Sequence, residues 1–148
     1  MSSELPLFPP GFHDLSIDSL YSVFVEPFPG SLNRPRLLKG LEEIISILLG
    51  FPLTAEIWIN GSFSTRKNDP GDVDVLILTN IAQLNSLSFL QQQALRNLVN
   101  NKAYSKTVYF CDLFLITEQP DPNLKIYWRG CFGFDRLDQL KGIPRIFL

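Results

Sequence analysis

Two long helices are predicted from apolar residues that recur every three or four positions, the period of a helix with one buried face. Ser31 is a candidate N-cap for the first helix, which is predicted to end at Gly50. The second helix is predicted over residues 86–101, with Ser86 or Ser88 as its candidate N-cap. The predicted buried faces are Leu37, Leu38, Leu41, Ile44, Ile45, Leu48 and Leu49 in the first helix and Leu87, Leu90, Ala94, Leu95, Leu98 and Val99 in the second.

Continuous apolar runs predict three strands, over Ala55 to Asn60, Asp72 to Leu78 and Thr107 to Thr117. Strands that are apolar on both faces are typical of the centre of a sheet that is covered on both sides. The C-terminal segment KIYWRGCFGFDRLDQLKGIPRIFL is predicted as a strand or hairpin with turns at its three glycines.

The N-terminal part of the chain is predicted to be less regular. Three of the eleven prolines fall within residues 1–13, which predicts an irregular surface arm. A short helix is predicted from Asp14 or Ser16 to about Val25. The length of 148 residues favours one domain over residues 1–148. The order of the elements predicts an α/β (α+β) fold, with a small mixed β-sheet flanked by helices.

Composition and charge bear on the partners and the compartment. A formal charge of −2 argues against bulk attraction to nucleic acid. Cys111 and Cys131 lie 20 residues apart and His13 is the single histidine, so neither a zinc site nor a disulfide framework is expected. No apolar run reaches the roughly 18 residues of a membrane span, and the N-terminus lacks the basic flank of a signal peptide. We therefore expect a cytoplasmic protein with no disulfides and no membrane contact.

The candidate chemistry lies in the segment EIWINGSFSTRKNDPGDVDVLIL. Its first predicted strand runs into Gly61 and Ser62, and its second opens with Asp72 and Asp74. Because side chains alternate between the faces of a strand, both carboxylates are predicted on one face, where their charges repel unless a divalent cation lies between them. The alternative is a structural role in which Asp72 only closes the preceding Pro-Gly turn.

Asp112 is a third candidate, because it interrupts the apolar run of the last predicted strand. Burying an ionised carboxylate costs roughly several kcal/mol unless the group is paired or binds a metal. Two partners are open at this point: a metal ion shared with Asp72 and Asp74, or an ion pair with Arg129 or Arg136.

Other basic residues also have two interpretations. Arg34, Arg36 and Lys39 lie at the start of the first long helix, where the helix dipole favours acidic residues. They are either solvated or face an anion. A similar choice, between fold-closing salt bridges and a substrate or phosphate contact, applies to the C-terminal basic residues Arg129, Arg136 and Lys141.

The three aspartates match the needs of nucleotidyl transfer from a nucleoside triphosphate (NTP). Such an enzyme positions the phosphates, neutralises their charge with one or two divalent ions and helps to deprotonate the attacking hydroxyl. Asp72, Asp74 and Asp112 are predicted to bind Mg²⁺ (or Mn²⁺), which prefers oxygen ligands. Asp112 is also predicted to help activate the nucleophile.

The Gly-Ser turn and the loop after it match the needs of phosphate binding. Gly61 permits close approach of the main chain, and Ser62 adds a hydroxyl and backbone amides at the start of a turn. Arg66 and Lys67 in the intervening loop are predicted to reach the phosphate tail.

This pattern resembles the nucleotidyltransferase superfamily of DNA polymerase β, in particular its small single-domain members. The shared features are Gly-Ser, a spacing of eleven residues from Gly61 to Asp72, Asp-apolar-Asp, and an acidic residue on a later strand. Through FPGS, IWINGSF, PGDVDVLIL and WRGCFGFDR, nearly the whole chain also resembles a bacterial group of nucleotidyltransferase-like proteins, which brings no established activity. The superfamily resemblance implies its fold, Mg²⁺ and an NTP site at Gly61, Ser62, Asp72, Asp74 and Asp112.

The same resemblance implies partners. It implies an NTP, with ATP as the first choice, and a protein or RNA hydroxyl as acceptor. Small members of the superfamily often belong to toxin–antitoxin or phage-defence pairs, which implies a partner protein. The chain departs from the GSxxxG pattern of small members, because no glycine follows Ser62 until Gly71, and this puts the phosphate geometry in question.

Two alternatives to an enzyme remain open at the level of sequence. The first is a catalytically silent module of nucleotidyltransferase fold that binds and regulates a partner protein. The second is a structural interaction protein in which the acidic cluster is incidental. The chain has no added helical domain of the kind that polymerases use to hold nucleic acid, so template-directed synthesis is not expected.

Overall fold

A mixed five-stranded β-sheet lies at the centre of the computed structural model, which describes residues 5–117, 123–134 and 140–148. Its strands are β1 (Gly11–Asp14), β2 (Ala55–Asn60), β3 (Val73–Thr79), β4 (Cys111–Thr117) and β5 (Gly142–Phe147). They lie in the order β1-β5-β2-β3-β4; β2 is antiparallel to both of its neighbours, and the outer pairs β1–β5 and β3–β4 are parallel. The predicted α/β class with a small mixed sheet is confirmed.

Helices connect the strands and cover the sheet. They are α1 (Leu20–Phe24), α2 (Arg34–Leu49), α3 (Ile81–Asn85), α4 (Phe89–Asn100), α5 (Lys102–Val108) and α6 (Asn123–Phe132), with 3₁₀ turns at Ile17–Ser19 and Ser62–Ser64. Among the described helices, none is both long enough and apolar enough to cross a membrane.

The two faces of the sheet pack into separate apolar clusters, because strand side chains alternate between the faces. One face packs against α1, α2 and α4 through the buried residues Ile57, Ile59, Val75, Ile77, Leu113, Leu41, Ile44 and Leu95. The other face packs against α6 through Trp58, Leu76, Ile116, Ile143 and Phe132. We call this second side the α6 face. By the same alternation Asn60, Asp74 and Asp112 belong to the α6 face, beyond the end of its apolar cluster.

Both long helices predicted from periodic apolar residues are present, although Leu49 of the first predicted buried face is exposed. The first long helix is α2, but its N-cap is Asn33 and not the predicted Ser31, whose hydroxyl accepts a hydrogen bond from the Arg34 amide at 3.0 Å. In α4, Ser88 forms a capping box with Gln91. Two residues of the predicted buried face of α4 are instead exposed, Leu90 and Ala94, because only one narrow side of this helix meets the sheet.

The N-terminal arm is more ordered than predicted. Residues Gly11–Asp14 form an edge strand parallel to β5, although the prolines before them suggested irregular structure as far as residue 13. Farther upstream, Pro6 forms an isolated bridge with Thr65, and the Leu7 amide donates to the Ser64 carbonyl at 3.0 Å. The segment therefore lies on the loop that follows β2.

The last two predicted segments were partly wrong. Helix α5 occupies the start of the predicted strand, because the Asn101 side chain accepts from the Tyr104 amide and caps a helix that ends at Val108. Asn123–Phe132 is helix α6 rather than a strand or hairpin, since Trp128 and Phe132 recur at helical spacing and pack on the sheet. Among the described residues of that segment, the strand is β5, at its end.

Candidate functional site

Three polar residues form a row across the middle of the sheet, where β2 ends and β3 and β4 begin. Asn60 is the register partner of Asp74 on the antiparallel strand β2, and Asp74 is the register partner of Asp112 on the parallel strand β4. Register partners project from the same face, so the three side chains are direct neighbours. We call them the polar row. The structure thus brings together two of the three predicted aspartates, and Asp72 precedes β3 by one residue.

Gly61 lies against the polar row in a backbone conformation that suits glycine. Its φ of +85° and ψ of −169° belong to a region that other residues rarely adopt. A Cβ atom built on Gly61 would lie 3.2 Å from Oδ2 of Asp74. The glycine therefore allows the main chain to turn close to this carboxylate, and Ser62 opens the 3₁₀ turn directly after it.

Asp74 is the electrostatically strained member of the polar row. Burial raises the pKa of its carboxyl above the ordinary value, and the charges of Asp72 and Asp112 raise it further. Lys141 and Lys106 act in the opposite direction on the same pKa. The three predicted aspartates thus lie within electrostatic reach of one another, and two lysines lie close enough to oppose their repulsion.

Asp112 is paired with two lysines of α5. Its Oδ1 atom lies 3.1 Å from Lys102 Nζ, and its Oδ2 atom lies 3.8 Å from Lys106 Nζ. The alternative partner Arg129 lies instead over the ring of Phe12, 5.4 Å from its centroid. The other alternative, Arg136, falls outside the described residues. Asp112 is therefore paired as the sequence required, but through lysines that the sequence analysis did not single out.

The side-chain oxygens of the polar row are of the type that binds a hard cation. Oδ1 of Asn60 and Oδ1 of Asp112 are buried without a hydrogen bond in the described part of the chain, since Lys102 meets Asp112 as an ion pair outside hydrogen-bond geometry. Mg²⁺ prefers such carboxylate and amide oxygens. No three His, Cys, Asp or Glu side chains of the described residues are arranged to hold a metal ion. Binding by all of Asp72, Asp74 and Asp112 therefore stays a prediction.

The loop between β2 and β3 is held in place by one buried cation. Arg34 is fully buried at the start of α2 and donates five hydrogen bonds to main-chain oxygens. The accepting carbonyls belong to Phe24, Phe63, Thr65 and Lys67. Both earlier interpretations of Arg34, a solvated charge or an anion ligand, were wrong, because all five of its donors serve the backbone.

The surroundings of Arg34 explain how a buried charge is tolerated. Its guanidinium lies 3.7 Å from the centroid of the Phe28 ring, a cation–π contact. Burial lowers its pKa to about 10, and the charge of Asp69 opposes that shift. At pH 7 the group thus remains a cation, and it fixes the loop that carries Phe63 and Thr65.

A second tie holds the far end of the same loop. Oδ1 of Asp69 accepts hydrogen bonds from the Ser31 hydroxyl at 2.9 Å and from the amides of Leu32 and Asn33 at 2.9 and 3.0 Å. These bonds lower the pKa of the Asp69 carboxyl. The loop from Gly61 to Asp69 is therefore built onto the start of α2 before any ligand binds.

Arg66 and Lys67, the predicted phosphate ligands, lie on this fixed loop with exposed side chains. The Arg66 amide donates to the Leu5 carbonyl at 2.7 Å, so the backbone here faces the N-terminal segment. Within the described residues, no contact joins either side chain to the aspartates, whereas Lys102 and Lys106 do contact Asp112. Their predicted role at the phosphates stays a prediction.

Neither cysteine is arranged as a nucleophile beside the polar row. Burial raises the pKa of the Cys111 thiol to about 12, and the charges of Asp72 and Asp74 contribute to the shift. A thiol reacts as its thiolate, so Cys111 is a packing residue at neutral pH. Both Cys111 and Cys131 are free thiols, the first buried and the second exposed.

A cavity of about 310 Å³ lies between α6, β1 and β5. Gly130 and Gly133 leave room in its wall, and Arg129 and Lys141 give it positive charge. Lys141 is buried and is the same residue whose charge acts on the pKa of Asp74. Lys141 therefore lines this cavity and lies within electrostatic reach of Asp74.

Some residues of the site carried no signal that a single sequence could show. Asn60 is the last residue of an apolar strand and reads as a turn residue, and its place beside Asp74 depends on the strand register. Lys102 and Lys106 fell between the helix predicted over residues 86–101 and the strand predicted from Thr107, so their helical spacing of four was overlooked.

Comparisons with known proteins give the family but not the activity. No curated protein and no solved structure matches the chain. One family model matches residues 2–147, almost the full length. The chain therefore belongs to DUF6932, a family of unknown function.

Proposed function

We propose that the protein is a nucleotidyltransferase that depends on Mg²⁺ or Mn²⁺. It transfers a nucleoside monophosphate from an NTP, with ATP as the first choice, to a hydroxyl of a protein or an RNA. The observation that carries the proposal is the juxtaposition of Asp74 and Asp112 in register, beside a Gly-Ser turn so close to Asp74 that a Cβ built on Gly61 would lie 3.2 Å from Oδ2. A toxin–antitoxin or phage-defence pair is the biological setting that we propose.

In this proposal the carboxylates of Asp74 and Asp112 hold the cation, together with Asp72. The buried amide oxygen of Asn60, which forms no hydrogen bond within the described residues, is available as a further ligand. When bound, Mg²⁺ supplies charge neutralisation at the phosphates and lowers the pKa of the attacking hydroxyl. Burial and then the charges of Asp72 and Asp112 raise the pKa of Asp74, and a bound cation would relieve the repulsion among the carboxylates, which supports this role.

The Gly-Ser turn and Asp112 supply the remaining functions. Arg34 holds the loop directly after Gly61 and Ser62 through the carbonyls of Phe63 and Thr65, so the amides of the turn are placed for a phosphate without a loop having to fold. The acceptor oxygen forms a bond to the α-phosphorus while the bond from that phosphorus to the bridging oxygen breaks, and pyrophosphate leaves. The hydroxyl proton passes to the carboxylate of Asp112 and from there to water.

Ligand-dependent thermal stability tests the proposal. Wild-type protein is heated with each of the four NTPs, with Mg²⁺, Mn²⁺ or a chelator, beside Asp72→Ala/Asp74→Ala. A ligand that binds only the folded state stabilises it by about 2.7 kcal/mol at a hundred times its dissociation constant. We expect a metal-dependent rise with one NTP that the double variant lacks. An unchanged melting temperature with all four NTPs contradicts the proposal.

A second candidate function is a silent module that binds and regulates a partner protein. The ion pairs of Asp112 with Lys102 and Lys106 favour it, because ammonium groups already balance a carboxylate that an enzyme would give to a cation. Large apolar side chains are also exposed on and near α6, at Ile126, Tyr127, Phe134 and Leu140. A folded protein that binds a partner but no NTP would select this candidate.

A further inference from the structure

The lysines of α5 differ in how firmly they are held. Lys102 Nζ pairs with Asp112, donates to the Leu113 carbonyl, and lies 4.0 Å from the centroid of the Phe114 ring. Lys106 Nζ has the single contact to Asp112 at 3.8 Å, beyond hydrogen-bond distance, and forms no hydrogen bond within the described residues. About half of each side chain is exposed, 44% for Lys102 and 49% for Lys106.

This difference separates a structural lysine from an available one. Three contacts fix Lys102 against the start of β4, so its ammonium group is part of the fold. Within the described residues Lys106 has all three N–H donors available for a ligand, and exchanging its 3.8 Å contact for a closer anion leaves Asp112 paired with Lys102 at 3.1 Å. Of the two, Lys106 is therefore the group able to change partners.

The position of Lys106 is suited to an anion that approaches the polar row. It lies four residues after Lys102 on α5, one helical turn away, and its charge also reaches Asp74. A triphosphate that binds over three aspartates meets strong repulsion, which a divalent ion offsets only in part. Positive side chains are needed on the same face of the sheet, and the α5 lysines contact Asp112 there, whereas Arg66 and Lys67 have no described contact with it.

We propose that Lys106 is a phosphate ligand that leaves Asp112 when a triphosphate binds, with Lys102 as its fixed neighbour. The proposal rests on the proposed function, because it assigns a residue to the NTP site. It places the phosphate chain between the Gly-Ser turn and α5 instead of on the loop of Arg66 and Lys67. Without nucleotide, Lys106 acts as a counter-ion of Asp112.

The test is a pair of titrations on full-length Lys106→Met. In the first, the NTP that stabilises the wild type, and inorganic triphosphate, are titrated calorimetrically in the presence of Mg²⁺. In the second, Mn²⁺ alone is titrated and free Mn²⁺ is followed by electron paramagnetic resonance. Lys39→Met on the exposed side of α2 is the charge-matched control, Lys67→Met tests the loop, and Lys106→Arg tests whether a cation is sufficient.

The proposal predicts effects of opposite sign in the two titrations. Lys106→Met weakens NTP and triphosphate binding by about tenfold, as the loss of one charge-assisted hydrogen bond does, and tightens Mn²⁺ binding because Asp112 has lost a competing cation. Lys106→Arg restores most of the NTP affinity, and Lys39→Met matches the wild type. Wild-type NTP affinity in Lys106→Met overturns the role of Lys106 alone. A wild type that binds neither NTP nor triphosphate overturns the proposed function, and this assignment with it.

Discussion

Gly61 and Asp74 approach each other so closely that any side chain at Gly61 would contact the carboxylate, with a Cβ 3.2 Å from Oδ2. Gly61→Ala is expected to lower the free energy of unfolding by about 1–3 kcal/mol, because alanine at φ +85° and ψ −169° is strained. Urea denaturation measures this change in the free energy of unfolding. Gly71→Ala is the matched control, since a Cβ there meets open space, and it should change stability by no more than about 0.5 kcal/mol. Equal stabilities of the two variants would refute the strain at Gly61.

Arg34 is expected to be the most sensitive charged residue of the fold. Arg34→Met removes five hydrogen bonds and leaves buried carbonyl oxygens unpaired, so the free energy of unfolding should fall by about 3 kcal/mol or more. Chemical denaturation checks this against Arg36→Met, whose exposed side chain donates to Asn33 at 2.6 Å and whose loss should lower the free energy of unfolding by about 0.5 kcal/mol. A small effect at Arg34 would show that the loop after β2 does not depend on it.

Asp74 and Asp69 should respond to pH in opposite directions. The pKa of Asp74 is raised by burial and by neighbouring aspartates, so the stability linked to it is present below its unfolded value near 3.8 and is lost as the pH rises through the folded value. The pKa of Asp69 is lowered by hydrogen bonds from Asn33 and Ser31, so its contribution is present at neutral pH and is lost as the pH falls through the folded value.

The matching variants follow from these signs. At pH 7, Asp74→Asn is expected to stabilise the protein and Asp69→Asn to destabilise it. Both differences should shrink as the pH falls towards 3, in thermal unfolding followed by circular dichroism. Destabilisation by Asp74→Asn at pH 7, without added metal, would contradict the repulsion within the polar row.

Gly40 tests the packing of α2 against the segment before β4. A Cβ at Gly40 would lie 1.9 Å from the Tyr109 carbonyl oxygen, so Gly40→Ala must displace backbone and is expected to cost about 3 kcal/mol. An unhindered helical glycine would give the opposite sign, a gain of roughly 1 kcal/mol with alanine. Gly30→Ala, where a Cβ meets nothing within 4 Å, is the control in the same denaturation experiment.

Local patterns in the sequence predicted much of the fold. The bounds of β2 match the prediction, and β3 begins and ends one residue later than predicted, because apolar runs of this length have few alternatives in a covered sheet. The errors fell where two signals competed. The apolar run VYFC was predicted as part of a strand, although it includes the end of α5. The glycines around WRGCF predicted turns where the structure has α6. The edge strand β1 was not predicted, because the prolines before it indicated irregular structure and its partner strand lies about 130 residues away.

The candidate site likewise contains residues that the sequence predicted and residues that it did not. Gly61, Ser62, Asp72, Asp74 and Asp112 were found from residue type and spacing, and the register of β3 and β4 makes Asp74 and Asp112 neighbours. The buried Arg34 was not interpretable from the sequence, because most of its acceptors are backbone carbonyls about 30 residues away. The same holds for Asn60, whose position depends on strand pairing and not on local composition.

Nucleotide-dependent Mn²⁺ binding tests the central claim most directly. Free Mn²⁺ is measured by electron paramagnetic resonance with wild type, Asp74→Asn and Asp112→Asn, with and without a non-hydrolysable analogue of the NTP that stabilises the protein. We expect wild-type protein to bind Mn²⁺ more tightly when the analogue is present, and both variants to lose this enhancement while they remain folded. Equal Mn²⁺ binding with and without the analogue, or an enhancement that survives in both variants, would contradict a nucleotidyltransferase site at Asp74 and Asp112.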